Sequence, residues 1–562
     1  MAVVNFQQSD SGYSIYPAGA ADFTNPILAA SGNRLFWRTT DGSRVLGDAT
    51  GLAVNGSVVP TAGTFTAFRF DLGAQNGYSD IFVTGVSISF DELRYGPGEA
   101  STQAFWQAVL DGNDTIRNSA TSAIGISGDG YSVASGVAGN DTFTGIGADN
   151  SELIGDVRIL SSGTLTGGND TFTVTADVVD GDVNQIENAT LNGGADSITF
   201  IGDWSQDQYV SVSGDAYFVT NAVVNGGNDV INISTVSSTT GVNEIFGDVF
   251  QTTGGSTIQG GDDTLTGSDA RDIIFGDAQI VSAADDVFGG DDIIFGRAGD
   301  DEIYGDAVST TSNVVGGADS IDGGTGDDTL YGGGGNDTLQ GNNDNDEIYG
   351  DNGDDLINGG DGDDLSLAGR GEDSMIGGLG NDSLFGQFGE DTIRGDAGMD
   401  TVNGGFGNDT LYGGVGRDRV VGGGDDDLLN GGSDNDRLNG GFGNDRLFGT
   451  DGDDTLSGEG SNDLLNGGDG DDVLRGGTGR DTFFFVDGWG IDSIQDFEIT
   501  PGSSDRIDLR NVSRITDFDD LIDTHLREVN GTVFITDQQG NSIRFNGVTL
   551  AELQSSEDFY IF

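Results

Sequence analysis

Residues 323–349 read GGTGDDTLY-GGGGNDTLQ-GNNDNDEIY, and this nine-residue pattern continues without a gap to residue 484. The block contains 18 units with Asp at position six in every one, from Asp328 to Asp481. Position eight is apolar in 17 units, with Ser366 as the exception, and position one is Gly in 17 units. Compositional bias cannot keep Asp in one phase throughout the block, so the segment is a structural repeat.

Each nonapeptide predicts one loop followed by one short strand. The Gly-rich first half can adopt tight turns and positive φ angles at little steric cost. The second half directs one apolar side chain inward, because side chains alternate along a strand. Two units then make one turn of about 18 residues, and successive turns stack as parallel strands about 4.8 Å apart. The pattern therefore predicts a parallel β-solenoid with a thin apolar core.

The stacked loops bring aspartates of successive turns close together. Residues 18 apart, such as Asp328 and Asp346, come into register at one edge, where their carboxylates repel unless a cation lies between them. Oxygen donors in a flexible loop favour Ca²⁺ over Mg²⁺. Nine turns leave eight gaps at each of two edges, which predicts about sixteen ions. The candidate metal ligands of the block are Asp328, Asp337, Asp346, Asp355, Asp364, Asp373, Asp382, Asp391, Asp400, Asp409, Asp418, Asp427, Asp436, Asp445, Asp454, Asp463, Asp472 and Asp481.

The charge of the chain points to the same counter-ion. The chain of 562 residues has 94 acidic residues and 22 basic residues, all Arg, for a net charge of −72 at pH 7. Such a protein repels nucleic acid and anionic membranes, and we expect neither as a partner. The repeat block alone has a net charge of −28. Because so thin a core buries little apolar surface, we expect the block to fold only with bound cations.

The unit GGxGxDxUx, with U apolar, resembles the nonapeptide of the RTX (hemolysin-type calcium-binding repeat) proteins. The resemblance covers residues 323–484 and implies an all-β fold with a right-handed parallel β-roll, several bound Ca²⁺ ions, and export by type I secretion machinery. Four loops depart from the pattern, and we expect altered carbonyl geometry there. The residues that replace the position-four glycine are Asp344, Asp425, Asp434 and Ser461.

Upstream of the block, the repeat phase loosens but persists. Motifs such as GGNDTFT at 167 and GGDDIIF at 289 recur every 26 to 34 residues, with Gly-Asp pairs between them. We expect residues 106–322 to continue the solenoid with extended outer loops. A separate β-sandwich is the alternative. Asp272 and Asp301 lie in nonapeptide-like segments and are the candidate metal ligands of this region.

The amino-terminal region, residues 1–105, has a different composition. Its segments 65–72 and 80–90 alternate apolar and polar residues, which predicts half-buried strands of a small β domain. This domain either caps the solenoid or anchors the protein. It lacks a basic leader and a long apolar run, so we expect secretion without an N-terminal signal peptide, and no membrane span. The candidate core residues are Phe36, Trp37, Phe68, Phe70 and Phe90.

Residues 485–562 follow the repeat block with alternating, aromatic-rich segments. They are expected to form a small β cap that covers the last edge of the solenoid. Their place after the repeats also resembles the uncleaved carboxy-terminal secretion region of the family.

The residue inventory argues against most kinds of catalysis. The chain has no Cys and one His, His525, which excludes thiol nucleophiles and the H-E-x-x-H zinc motif. We interpret His525 as an incidental surface residue. Asp is abundant, but an Asp beside a cation is a poor general acid because the cation lowers its pKa. We therefore predict that the protein is not an enzyme, and keep a secreted enzyme of unknown type as the third hypothesis.

A column of outward side chains suggests assembly. Tyr331, Tyr349, Leu367 and Phe385 are each 18 residues apart at position nine. They either stabilise their own sheet or form an adhesive stripe between molecules. The leading hypothesis is an extracellular structural protein that folds on Ca²⁺ and assembles into a surface layer, sheath or matrix, by self-association or on a cell-surface component. The second is a calcium-dependent adhesin that binds a partner through residues 1–105.

Overall fold

The structure is a computed structural model, and the chain divides into two compact units, Met1–Ile321 and Asp322–Phe562. Side chains are described only from residue 138 onward, and not for every residue there. The ranges with a described backbone are 3–9, 12–18, 34–38, 44–54, 60–71, 81–89, 115–118, 124–127, 130–133, 136–138, 140–146, 152–154, 157–160, 162–175, 178–181, 183–200, 210–234, 236, 242–280, 285–307, 313–500 and 504–562.

The repeat block of the second unit is a parallel β-roll with two sheets. Each strand pairs with the strand 18 residues along the chain, so that Tyr331 lies opposite Tyr349. The predicted fold class is confirmed. Roll sheet 1 contains Thr329–Gly334, Glu347–Asn352, Leu365–Arg370, Ser383–Phe388, Thr401–Phe406, Arg419–Gly424, Arg437–Phe442, Thr455–Gly460 and Val473–Thr478. Roll sheet 2 contains Thr338–Asn343, Leu356–Asp361, Ser374–Leu379, Thr392–Ala397, Thr410–Val415, Leu428–Ser433, Arg446–Asp451, Leu464–Asp469 and Thr482–Val486. The strand Ser320–Thr325 precedes them.

The core of the roll is a row of position-eight side chains from each sheet. All of them are buried, from Leu330 to Phe483. The position-one residue two places further along each strand is buried as well. Positions seven and nine are mostly half-buried or exposed. The alternation that the repeat predicts is therefore the alternation that forms the core.

Ser366 occupies a core position although it is polar. Its side chain is fully buried, and its Oγ has no hydrogen-bond partner among the described residues. The adjacent Leu365 and Leu367 stay half-buried on the outer face. A shift of register by one residue would reverse every side chain of the strand, so the strand keeps its phase and buries a serine instead.

We predict that Ser366→Val stabilises the calcium-loaded protein by about 1–3 kcal/mol, because it removes an unsatisfied buried hydroxyl and fills core space between Ile348 and Leu384. Chemical denaturation in excess calcium measures the change. The control is Ser383→Val, which makes the same substitution at a half-buried position seven of the neighbouring strand in roll sheet 1. Equal effects of the two substitutions would contradict the prediction.

The residues after the repeat continue both roll sheets. Ile491–Ile494 pairs in parallel with Val473–Thr478, and Arg506–Asn511 pairs in parallel with Thr482–Val486. Among the described residues, no helix has the length and apolar character of a membrane span. The remaining elements are the strands Leu526–Val529, Thr532–Thr536, Ser542–Phe545 and Tyr560–Ile561, the short α-helices Phe518–Asp520 and Leu550–Leu553, the π-helical turn Leu521–His525 and the 3-10 turn Glu557–Phe559.

The prediction that His525 is a surface residue is wrong. The side chain is 4% exposed, its Nδ1 lies 2.5 Å from the carbonyl oxygen of Thr536, and its Nε2 lies 3.6 Å from Asp520 Oδ2. The imidazole thus joins the π-helical turn to the neighbouring strand.

From Thr115 to Val315, the first unit is a parallel solenoid with four strands in each of its first six turns and, among the described residues, three in the seventh. The parallel pairing excludes the sandwich alternative, and the segments predicted as outer loops form two additional sheets. Sheet I contains Thr115–Asn118, Thr142–Ile146, Thr171–Thr175, Ser197–Phe200, Val230–Asn232, Thr264–Thr266 and Ile293–Ala298. Sheet II contains Ile124–Ser127, Glu152–Ile154, Val178–Asp180, Ser211–Ser213, Asn243–Phe246, Asp272–Phe275 and Glu302–Tyr304. Sheet III contains Gly130–Val133, Val157–Leu160, Val183–Glu187, Ala216–Thr220, Val249–Thr253 and Ala278–Ile280. Sheet IV contains Gly136–Val137, Gly163–Thr166, Ala189–Asn192, Val223–Asn225, Thr257–Gln259, Asp286–Phe288 and Asn313–Val315.

The region predicted as an amino-terminal β domain contains strands with antiparallel neighbours. The half-burial predicted for segments 65–72 and 80–90 lies outside the described side chains. So does the predicted core of Phe36, Trp37, Phe68, Phe70 and Phe90. The strands are Val3–Ser9, Gly12–Ala18, Arg34–Arg38, Arg44–Val54, Pro60–Asp71 and Ile81–Ser89.

Candidate metal centres

The position-six aspartates of the roll form two hydrogen-bonded ladders, one at each edge. Asp346 Oδ1 accepts a hydrogen bond from the backbone N–H of Asp328 at 2.8 Å, and Asp364 Oδ1 accepts one from Asp346 at 2.9 Å. The other edge repeats the contact, beginning with Asp355 Oδ1 and the N–H of Asp337 at 2.9 Å. All eighteen candidate ligands of the block are buried. We call these two rows the roll ladders.

The second carboxylate oxygen of these residues is left without a hydrogen bond. In the sixteen aspartates from Asp346 to Asp481, Oδ2 is buried and has no hydrogen-bond partner among the described residues. Burying an acceptor, and above all a charged one, without a partner is costly. A regular row of such atoms is therefore the arrangement expected where a cation binds at each rung.

The position-one glycines border the space that these oxygens face. A methyl group on Gly341 would lie 2.2 Å from Asp346 Oδ2 and 2.7 Å from the carbonyl oxygen of Gly359 in the next turn. On Gly350 it would lie 2.3 Å from Asp355 Oδ2 and 2.6 Å from the carbonyl oxygen of the residue 18 positions later. Two oxygen acceptors from adjacent turns therefore converge on the point where a side chain at position one would stand.

The residues present fit Ca²⁺. Among the described residues, no three His, Cys, Asp or Glu side chains surround a single point. An ion between turns would therefore combine few carboxylates with backbone carbonyl oxygens. Such all-oxygen donor sets in flexible loops suit Ca²⁺, whereas Mg²⁺ demands a stricter octahedron.

Four loops of the roll have a different backbone. Glycines at position four take φ angles such as 146° at Gly353, whereas Asp344, Asp425 and Asp434 take 73°, 77° and 78°. Ser461 has φ 84°. The peptide planes of these loops are rotated relative to the glycine loops, as the departures from the repeat predicted.

Burial raises the pKa of the ladder aspartates. The pKa of Asp346 rises to about 8 because its carboxylate is removed from water; the donated amide of Asp328 opposes the rise, and the charges of Asp328 and Asp364 add to it. The same causes raise the pKa of Asp427 to about 8, and burial raises that of Asp364 to about 6. Without a cation, forming the roll would therefore require several of these carboxylates to take up protons, which becomes less favourable as the pH rises.

Asp272 and Asp301 lie in register in the first unit, as neighbours in one column. The N–H of Asp272 donates to Asp301 Oδ1 at 2.7 Å. The carboxylate of Asp272 itself accepts from the Ser268 N–H at 2.5 Å and from Asn243 Nδ2 at 2.6 Å. Both of its oxygens thus have donors, in contrast to the roll ladders. The role of these two residues as metal ligands stays a prediction.

Sequence reasoning missed a third ladder, in the first unit. The Asp229 N–H donates to Asp263 Oδ1 at 2.7 Å, and the Asp263 N–H donates to Asp292 Oδ1 at 2.8 Å. The signal was present, because each member follows a Gly-rich corner and precedes a strand with an apolar residue two positions later. We call this row the upstream ladder; its members are Asp141, Asp170, Asp196, Asp229, Asp263, Asp292 and Asp319.

The roll ladders also extend into the carboxy-terminal segment. Asp492 Oδ1 accepts from the Asp472 N–H, and Asp505 Oδ1 accepts from the Asp481 N–H, each at 3.0 Å. Both residues carry the Asp-x-Ile signature of the repeat, although the nine-residue spacing has ended. Each ladder therefore has one rung more than the repeat count predicted.

A family model described as the RTX calcium-binding nonapeptide repeat matches residues 259–280, 288–308, 315–348, 331–366, 340–375, 376–411, 412–447 and 448–483. No curated protein matches the chain.

Two solved structures resemble parts of the chain. The extracellular lipase LipA from Serratia marcescens is 20% identical over 35% of this chain and 40% of the lipase, with a TM-score of 0.19. The AlgE6R3 subunit of the Azotobacter vinelandii mannuronan C5-epimerase is 26% identical over 25% of this chain and 79% of that subunit, with a TM-score of 0.15. The aligned part thus spans less than half of the lipase.

We predict that Asp427→Asn lowers the number of bound calcium ions by one or two per chain. The amide can still accept the Asp409 N–H but lacks the charge, so stability in excess calcium falls by about 1–3 kcal/mol. Equilibrium dialysis with radioactive calcium and denaturation measure the two effects. The control is Asp426→Asn, an exposed position five where Asn is common in other units. Loss of calcium in the control alone would contradict the prediction.

We predict that the calcium-free protein becomes more structured as pH falls. The folded-state pKa values of Asp364, Asp355 and Asp346 are about 6, 7 and 8, above the ordinary value of 3.8. Protonation therefore favours folding: this stability is complete below about pH 4 and is lost as pH rises through 6 to 8. Circular dichroism in a chelator should show sheet structure increasing from pH 8 to 5. A signal independent of pH would be evidence against buried ladder carboxylates.

Proposed function

We propose that this chain, an RTX-type repeat protein, is a secreted structural protein that folds on calcium and then associates with copies of itself. The observation that carries the proposal is the pair of roll ladders, in which buried Oδ2 atoms without hydrogen bonds face carbonyl oxygens of the next turn. Such a structure needs a cation at each rung to be stable. Calcium binding would thereby be a condition of folding.

Folding would be controlled by the compartment. Where free calcium is scarce, self-repulsion of the roll keeps the chain open, which suits export through a type I secretion machinery. Outside the cell, millimolar calcium is sufficient for sites of about 10⁻⁴ to 10⁻³ M. Because the unfolded chain has no preformed site, the binding free energy becomes folding free energy.

In the folded roll, each part of the nonapeptide has a separate task. The Asp Oδ1 fixes the loop of the preceding turn through its backbone N–H, as Asp427 does for Asp409. The Oδ2 and the carbonyl oxygen of the position-one residue would hold the ion. The position-one glycine keeps the space open, and the buried position-eight side chain holds the strands together. When bound, calcium supplies the positive charge that lets these carboxylates remain ionised side by side.

Exposed aromatic side chains favour association. Tyr331 and Tyr349 stack with ring centroids 4.8 Å apart but are half-buried, which supports the role of this column within its own sheet. The edge next to that column is more accessible: Phe388, Phe406 and Phe442 are 50%, 63% and 81% exposed. We call these three residues the aromatic edge. Sequence reasoning missed it because position three lies in the loop half of the repeat.

The aromatic edge and the position-nine column adjoin each other. Tyr349, Leu367 and Phe388 line one shallow groove of about 470 Å³. A second copy of the roll is the occupant that we propose for this surface. Its net charge would oppose association without calcium, because two chains of −72 repel each other. Calcium would thus be required both for folding and for association.

We include a non-catalytic role in this proposal. It is supported by the ladder aspartates, which bind the backbone of neighbouring turns of the roll. Lipase and epimerase activity belong to those two proteins and are not carried over to this chain. An adhesin that acts through residues 1–105 is the second candidate from the sequence, and no described contact favours it.

We predict that Phe406→Ser combined with Phe442→Ser abolishes calcium-dependent assembly and leaves calcium-induced folding unchanged. The substitutions remove exposed apolar surface and touch neither the core nor the roll ladders. Electron microscopy and light scattering follow assembly, and circular dichroism follows folding.

The matched control is Tyr412→Ser combined with Phe448→Ser, on position nine of roll sheet 2. This variant should assemble like the unaltered protein. If the edge variant assembles normally, the aromatic edge is not the contact. If neither the edge variant nor the unaltered protein forms lattices or filaments, the structural role is excluded.

A further inference from the structure

The position-three residues of roll sheet 1 form one row along the aromatic edge. Strand pairing places each of them beside the residue 18 positions later. Successive members are therefore about 4.8 Å apart, the strand spacing of a sheet. Aromatic rings occupy the first, second and fourth of six consecutive places, and small residues occupy the third, fifth and sixth. We call this row the edge row; it reads Phe388, Phe406, Gly424, Phe442, Gly460 and Thr478.

The gaps in the edge row leave ring faces open to water. Phe388 and Phe406 stack on each other, with centroids 5.4 Å apart and planes 10° apart. A methyl group on Gly424 would lie 3.7 Å from Phe406 Cδ1, so the Phe406 ring borders the empty third place. No described ring contacts Phe442, which has a glycine on each side in the row and is 81% exposed. The row is thus an interrupted aromatic stack.

The edge row is complementary to itself when it is read in reverse. Beside the reversed row of a second copy, every ring faces a small residue. Each of the six places then holds one ring, three from each copy, at about 4.8 Å intervals, a favourable distance for aromatic pairs. A parallel arrangement would place every ring against its own counterpart and leave three places without a ring. The antiparallel pairs are Phe388 with Thr478, Phe406 with Gly460, and Phe442 with Gly424.

The residues that flank the edge row extend the match to charge. Arg370 lies one turn before Phe388, is exposed, and forms no ion pair with any described residue. At the other end of the row, the exposed Asp496 accepts the N–H groups of Gly476 and Gly477, each at 3.0 Å. Reversal of the row brings the Arg370 of one copy toward the Asp496 of the other. The charges at the two ends therefore favour the same orientation as the rings.

We propose that two copies of the roll associate through the edge row in antiparallel orientation, about a two-fold axis between Gly424 and Phe442. The Phe442 ring of each copy inserts at the empty third place of the other, between its Phe406 and Phe442 rings. Such a contact is isologous, so the pair closes on itself. The inference rests on the proposed function in taking a second copy as the partner, and it adds the orientation and register of the contact. A layer built from such pairs needs a further contact elsewhere.

Gly424→Phe tests the register, because general apolar attraction predicts the opposite result. A methyl group at this position makes only ordinary contacts, at 3.7 Å or more, in its own chain. In the antiparallel pair, the new ring occupies the place of the Phe442 ring of the other copy, and symmetry repeats the collision. We expect the dissociation constant of the pair to rise by about 100-fold or more. Sedimentation velocity in excess calcium measures it, and circular dichroism confirms folding.

Gly424→Phe combined with Phe442→Gly is the matched restoring variant. It moves the ring from the fourth place to the third, and the reversed row is again complementary. The dissociation constant should therefore return to within about tenfold of that of the unaltered protein. The control for added apolar surface is Ser433→Phe, at position three of roll sheet 2, which should leave the dissociation constant unchanged.

A distance between spin labels tests the orientation. The chain has no Cys, so Asn352→Cys adds one labelling site, exposed and two turns before Phe388. In the antiparallel pair the two labels lie about 43 Å apart, nine turns of about 4.8 Å. In a parallel pair they would lie in contact.

Labels in contact, or association of Gly424→Phe as strong as that of the unaltered protein, would overturn this inference and leave self-association standing. A calcium-loaded protein that stays monomeric at every concentration would overturn the proposed association as well. If Gly424→Phe does not fold, the label distance decides.

Discussion

Buried carboxylates stacked at the repeat distance of a β-sheet are the constraint on which this protein depends. Strand pairing fixes the separation of successive turns, so the aspartates cannot move apart to reduce their repulsion. In the roll, one oxygen of each carboxylate is used to bind the backbone of the preceding turn, and the other lacks a protein donor. The glycine at position one has no side chain that would collide with this second oxygen and with the carbonyl oxygen of the next turn.

The same constraint links stability to chemical conditions. Protons and calcium would compete for the same oxygens, since burial raises the pKa of the ladder aspartates toward and above neutrality. The thin core contributes one buried side chain at position eight of each strand, and it even contains a serine at position 366. Hydrophobic burial therefore sets the register of the strands, whereas in the proposed function a counter-ion would decide whether the stack holds together.

The two units solve this electrostatic problem in different ways. The roll places glycine and aspartate in one nonapeptide, so each loop is locally complete and the sequence is strictly periodic. The solenoid of the first unit distributes the same oxygens over two corners of a four-stranded turn, as with Gly247 and Asp263. Its turns vary in length, because only the corners need to remain in register.

The sequence by itself determined the roll: its period, its core positions, the 18-residue register of Asp328 and Asp346, and the all-oxygen character of the candidate sites. It could do so because in the roll all partners of a residue lie at fixed spacings along the chain. Only the tertiary structure decided the four-stranded turns of the first unit, the upstream ladder, the rungs at Asp492 and Asp505, and the burial of His525. In each of these cases the contacts join residues at irregular separations, and packing, rather than local pattern, determines which side chains meet.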